Sequence, residues 1–405
     1  MRARNRGRST VACTIEASAL LSILALAATL AKTANCQQLD LVAHEWGTFT
    51  SIAGNTGAAV EWFPWAVPSD LPGFVEHFES RDFKVNLAGT IRMETPVLYF
   101  YSPRDANVSV HVSFSKGLIT EWYPHTTGFT PSEAKGKLRP VVLNAGDANG
   151  SITWQSVAIR PGDANPLARE TKESRYYAAR ATASVPLRVS AADGEQYEKF
   201  LFYRGVSAEA SPVGARALAD GRVTVENHSV EPIARLFLVE RRDAAAGFRS
   251  IVSLEKAATL PSPELDSSVE AVSEQILAAL MNEGLYPDEA RAMVETWKDS
   301  WFEEGARLLC IVPRTFVDQV LPLSISPNPR ETTRVFVGRM ELVTPRTGQA
   351  IETALAAGDE PALARYNRFL EPMLRILAER ETDPLKVAEI RRRLERPYAP
   401  ILAEE

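Results

Sequence analysis

The sequence predicts an α+β protein, an antiparallel β-sandwich-like body followed by a helical C-terminal part that contributes two additional strands. Three observations carry that expectation. From Leu41 to about Leu254 apolar residues recur with period two between turns rich in Gly, Pro, Asn and Asp, the pattern of short strands. After the Pro-rich stretch TLPSPELD the period changes to that of amphipathic helices. Two strand-like runs then return, at 308–312 and 334–343.

The elements follow in chain order. Residues 1–36 open with MRARNRGR, continue through 15 small or apolar residues from Ala17 to Ala31, and leave by Lys32. That layout predicts a cleaved secretory signal, because the apolar run is shorter than the roughly 20 residues a membrane span requires. Small residues permit cleavage near Ala31 or Cys36, and Asn35 argues against lipid modification of Cys36. Residues 37–260 form the β-rich domain. Its clearest strand alternates Val108, Val110, Val112 and Phe114 with Asn107, Ser109, His111 and Ser113. Further strands are expected at 97–101, 118–123, 152–159, 175–181, 197–203, 222–226, 233–240 and 248–254. The repeated Asp-Ala-Asn at Asp105, Asp147 and Asp163 reads as turns.

In the region 261–405, Val269, Val272, Ile276 and Leu280 mark one helix, and Pro287 opens another that Gly305 closes. Trp297 and Trp301 lie four apart on it, as a packed aromatic pair would. In the second strand run Phe336, Met340 and Leu342 alternate with Arg339 and Glu341, so both runs are expected to pack on the β body. Thr344-Pro345 is a helix start, and Pro361 and Pro384 begin two more helical segments.

Composition excludes some functions. The leader carries five cationic side chains against one acid, so the −6 of the whole chain becomes −10 for the mature part, which disfavours nucleic acid. Cleavage after Cys36 leaves only Cys310, so no internal disulfide can form. Cys310 sits in LLCIVP, where a cysteine is expected to be a buried hydrophobe.

No established catalytic motif occurs. HEWGTFTS places Thr48 where a zinc protease helix needs its second histidine, and no two histidines have metal-ligand spacing. Gly-x-Ser-x-Gly, phosphate-loop and dinucleotide fingerprints are missing as well. No metal and no cofactor is therefore expected, and no catalytic residue is assigned. What remains are carboxylates beside aromatic rings: VEWFPWAVP, RMETP and ITEWYPH. Such mixtures suit sugar rings, and paired carboxylates could cleave a glycosidic bond. The candidate ligand-binding residues are His44, Glu45, Trp46, Glu94, Glu121, Trp122 and His125.

HEWGTFTS, RMETPVLYFYS, ITEWYP, EKFLFYRG and FVGRMELVTP together resemble segments of a group of uncharacterised exported bacterial proteins. The resemblance covers most of the mature chain. It implies export and bacterial origin, and it brings no activity, cofactor or catalytic residue. The expectation is thus a periplasmic or secreted protein, without a transmembrane span after signal cleavage, that binds a carbohydrate or an envelope protein partner. Two alternatives compete with it: a carboxylate-based or metal-assisted hydrolase with a site near His44, Glu94 and Glu121, and an envelope scaffold.

Overall fold

Strand β1 (Leu39–Ile52) carries HEWGTFTS, and every residue from Leu41 to Ile52 is buried. A strand covered on both faces must bury its polar set with its apolar set, so His44, Glu45, Thr48 and Thr50 are enclosed together with Trp46 and Phe49. The structure is a computed structural model that describes residues 39–63, 71–78, 87–130, 143–144, 149–192 and 194–395. The leader over 1–36, the turn at Asp147, and Pro64, Trp65 and Pro68 lie outside the described residues. Residues 40–405 group as one compact unit.

With strands numbered along the chain, β1 is fifth in a nine-stranded sheet. The order is β16 (Ala245–Leu254), β15 (Ile233–Arg242), β18 (Gly305–Ile311), β20 (Pro329–Leu342), β1, β4 (Ile91–Tyr101), β12 (Phe200–Ser207), β6 (Gly117–Tyr123) and β2 (Glu76–His77). Neighbours pair antiparallel except at β1 and β20. There Ser51 Oγ donates to Arg339 O and Ala53 N–H to Glu341 O, so the numbers rise together and the two strands run parallel. A second sheet is ordered β11 (Gly194–Glu198), β10 (Leu187–Ala191), β9 (Gly150–Ile159), β5 (Ala106–Phe114) and β19 (Leu323–Ser326), with β7 (Gly128–Thr130) also on β9. Strands β13 (Val213–Ala217), β14 (Val223–Asn227) and β17 (Ala257–Leu260) form a third, and β3 (Leu87–Ala88) pairs in parallel with β8 (Leu143–Asn144).

One face of the nine-stranded sheet is divided between two kinds of cover. Helices α1 (Val269–Asn282) and α2 (Pro287–Trp301) and a 3-10 helix (Arg175–Arg180) bury Trp46, Val97, Tyr99, Phe200, Phe202, Leu309, Val335 and Val337. Beyond the short helix α3 (Arg314–Val320), the C-terminal helices α4 (Pro345–Ala357), α5 (Glu360–Ala364), α6 (Leu370–Arg380) and α7 (Pro384–Glu395) follow. They form their own apolar cluster with Ile52 and Trp62. On the opposite face β13, β14 and β17 pack on Leu236, Leu308, Cys310 and Met340.

The α+β, sandwich-like reading holds, with helices at the C-terminal end, and several details differ. Residues 175–181, expected as a strand, are a 3-10 helix over Arg175–Arg180, started by Ser174 Oγ accepting from Tyr176 N–H. Its Tyr176 turns inward onto Phe200 and Phe202, so burial of one ring decides the local structure. The stretch 197–203 is split at Lys199 between β11 and β12. The helix α2 ends at Trp301, and Gly305, at φ 110°, opens β18 instead of closing the helix. The C-terminal part supplies three strands, since β19 joins the second sheet. Because β18 and β20 lie in the same sheet as β1 and β4, the regions 37–260 and 261–405 share one sheet.

Candidate functional site

Strand alternation carries a row of charge across the divided face. In β20, Val335 and Val337 lie in the apolar cluster, and two steps of period two bring Arg339 and Glu341 onto the same face. The same rule places Arg307 after Leu309 in β18, Arg204 after Phe202 in β12, and Thr48 and Thr50 after Trp46 in β1. Strand β4 needs a correction of one residue. Its register to β1 shifts between Val97 and Glu94, and Thr95 takes φ 49°, so a bulge turns Glu94 and Arg92 onto this face opposite Thr48 and Thr50. None of these side chains' residues is more than 5% exposed.

The buried charges are held by short, multiple bonds. Arg307 Nε and Arg339 Nε both donate to Glu341 Oε1, at 2.8 and 2.7 Å. Arg339 also reaches Ser300 Oγ and Glu303 Oε2, each at 2.6 Å, and its guanidinium lies 4.6 Å from the Phe369 ring centre. Glu94 pairs with Arg368 at 2.8 Å and with Arg92 at 3.6 Å. Burial pushes the Glu94 carboxyl up, but Arg368, Arg92, Arg204 and Arg339 together hold it down at about 2. For Glu341, too, burial is outweighed by Arg307 and Arg339, and its carboxyl stays below the usual range. Arg368 also stands over the Trp62 ring at 5.9 Å, linking Glu94 to that indole. Among the described residues, the Thr48 and Thr50 hydroxyls and the Trp62 indole N–H have no hydrogen-bond partner, although all three residues are fully buried.

The seven residues singled out from sequence fall into five places. Glu94 and Glu121 share the charged face, on strands flanking β12, where Glu121 is in register with Arg204 and accepts from Thr120 Oγ1 at 2.6 Å. Two interstrand spacings put them roughly 10 Å apart. His44 lies about 13 Å along β1 from Thr48, the partner of Glu94 in register. Its Nδ1 bonds Glu289 Oε2 at 2.8 Å, and Tyr101 and Tyr286 flank the ring. Glu45 points to the opposite face, where it accepts from Tyr203 OH and from Arg334 Nε. Burial first, and then the Glu45 charge, push the Tyr203 phenol well above its ordinary value. Trp46 belongs to the apolar cluster. Trp122 and His125 meet at Glu76, which accepts from the indole at 2.9 Å and contacts His125 Nδ1 at 2.9 Å.

The arginines of the row were not singled out from sequence, since an arginine alternating with apolar residues reads as a solvated strand face. Glu76 and Glu289 were missed because only the fold brings them to their histidines. Among the described residues, no three potential metal ligands come together, and no helix is long and apolar enough to cross a membrane.

No family model matches the chain, and no curated protein matches it. Among solved structures it is similar to the Fcho1 Mu homology domain of Danio rerio with bound Eps15 peptide. Identity is 7%, the TM-score is 0.29, and the match covers 76% of this chain and 98% of that one. A likeness of that size carries nothing about ligand or activity.

Proposed function

We propose that this is an extracytoplasmic binding protein whose charged sheet face receives the hydroxyl groups of a carbohydrate. The extracytoplasmic location rests on the leader sequence. The binding reading rests on one observation: two hydroxyls and an indole N–H are buried without protein partners beside ionised carboxylates and guanidinium groups. Buried polar groups are nearly always bonded, and each one left unbonded costs roughly 1–3 kcal/mol. A ligand that both accepts and donates satisfies them, as sugar hydroxyls do. Arg92, Arg204, Arg307, Arg339 and Arg368 stand against Glu94, Glu121, Glu303 and Glu341, so the face is close to neutral with one cation in excess, which favours an uncharged ligand over a multiply charged ion.

The hydrolase alternative fits this geometry less well. Glu94, held at about 2, can supply only the ionised carboxylate of a glycosidase pair, and His44 stands about 13 Å along β1 from Thr48, the register partner of Glu94. Calorimetric titration of the mature chain against a glycan panel tests the proposal. One glycan should bind, and Thr48→Val with Thr50→Val should weaken it at least tenfold while the melting temperature stays within a few degrees. Unchanged affinity, or no binding together with a more stable double variant, would leave these hydroxyls as structural and favour the scaffold reading.

A further inference from the structure

An open sheet edge and an arginine-lined cleft coincide at β19. This strand ends the second sheet, with β5 on one side in antiparallel register. Ser113 N–H donates to Pro322 O, and antiparallel bonding alternates along a strand. Ser324 and Ser326 therefore face β5, whereas Leu323 and Ile325 turn their N–H and C=O groups outward. Among the described residues those outward groups have no protein partner.

They border a cleft of about 340 Å³ whose facing wall includes Arg314, Asp318, Thr332 and Arg334. The Arg334 side chain is 1% exposed. Its Nε bonds Glu45 and its Nη1 bonds Asp318 and Leu321 O, while Nη2 has no partner among the described residues. Arg314 reaches the same Asp318 at 2.7 Å, so the facing wall carries two guanidinium groups and one carboxylate.

We propose that β19 accepts an extended peptide segment as a further strand of the second sheet, with a carboxylate of that peptide placed on Arg334 Nη2. The backbone groups of Leu323 and Ile325 repeat at the spacing of two strand residues, about 7 Å, which an extended chain matches. A carboxylate, the anionic group a peptide itself carries, forms a charge-assisted bond with a guanidinium donor that is roughly twice as strong as a neutral one. The site is separate from the charged face and does not depend on the carbohydrate reading.

The test uses the full mature chain and a fluorescein-labelled heptapeptide of alternating Val and Thr with a free C-terminal carboxylate. Its C-terminal amide and a backbone N-methylated form serve as controls, read by fluorescence polarisation. The free acid should bind, both controls should bind at least tenfold more weakly, and hydrogen exchange should slow at 323–326. Equal binding of all three peptides, no binding of the free acid, or protection confined to other strands would overturn the proposal.

Discussion

At one end of the divided sheet face, Trp46, Tyr99, Phe200 and Phe202 are covered by α1 and α2 and held by apolar contact. At the other end, Arg307, Arg339, Glu341 and Glu94 are just as deeply buried and held by ion pairs and charge-assisted hydrogen bonds. The apolar end gains stability from area removed from water and tolerates loss of one contact in proportion to its size. The charged end has little net gain from burial, because desolvating each ion cancels most of the attraction, but it fails sharply when one partner is removed. Equal burial therefore conceals unequal purpose: the first end builds a core, and the second builds a rigid polar surface inside one.

The largest effects should separate the two ends by their pH dependence. Arg339→Met should cost about 3–5 kcal/mol near pH 7, because Glu341 and Glu303 each lose a cation. Trp297→Ala should cost a similar 3–5 kcal/mol by leaving a cavity. Only the Arg339→Met loss should shrink on acidification, because Glu341, which two guanidinium groups hold below the usual carboxylate range, takes up its proton more readily once one of them is gone. An equally flat profile for both variants would break the comparison.

Tyrosines give the apolar end an alkaline weakness. Burial pushes the Tyr99 and Tyr176 phenols well above their ordinary value of 10, so the folded state keeps protons that the unfolded state releases. Their contribution is intact below about pH 10 and declines above it. Tyr99→Phe should soften that alkaline decline, at a cost near neutral pH of about 1 kcal/mol for the hydrogen bond to Ala179 O.

Smaller still is the effect of close packing behind the sheet. A Cβ at Gly338 would lie 2.9 Å from Cys310 Sγ, so Gly338→Ala should cost about 1–3 kcal/mol in urea unfolding. Burial also pushes the Cys310 thiol up to about 12, and native protein should resist thiol reagents that label the unfolded chain at once.

Much of the fold was legible because period-two alternation reports strands whatever covers them. The strands at 97–101, 152–159, 222–226 and 308–312 all lie on or within a residue of observed ones. Alternation does not report what lies over the second face, however. Arg339 and Glu341 alternate with Met340 and Leu342 as they would in a half-solvated strand, yet helical cover buries both sets. Glu94 and Glu121 were legible as candidates from their aromatic and proline context, and the fold brings them onto one face. His44 could not be placed from spacing, since its partner Glu289 lies 245 residues away. The bulge at Thr95, which aims Glu94, leaves no mark that sequence alone displays.

The central claim is that the charged end is preorganised with Glu94 ionised inside it, and chemical denaturation of wild type and Glu94→Gln from pH 7 to pH 2 tests it directly. The Glu94 pKa falls from 4.5 to about 2 on folding, so its contribution is present above pH 4.5 and is lost as pH falls toward 2. That shift corresponds to about 3 kcal/mol. The variant should be less stable than wild type by about that much at pH 7, and the gap should close to under about 1 kcal/mol near pH 2. A gap that is absent at pH 7, or that stays constant across the range, would contradict the account.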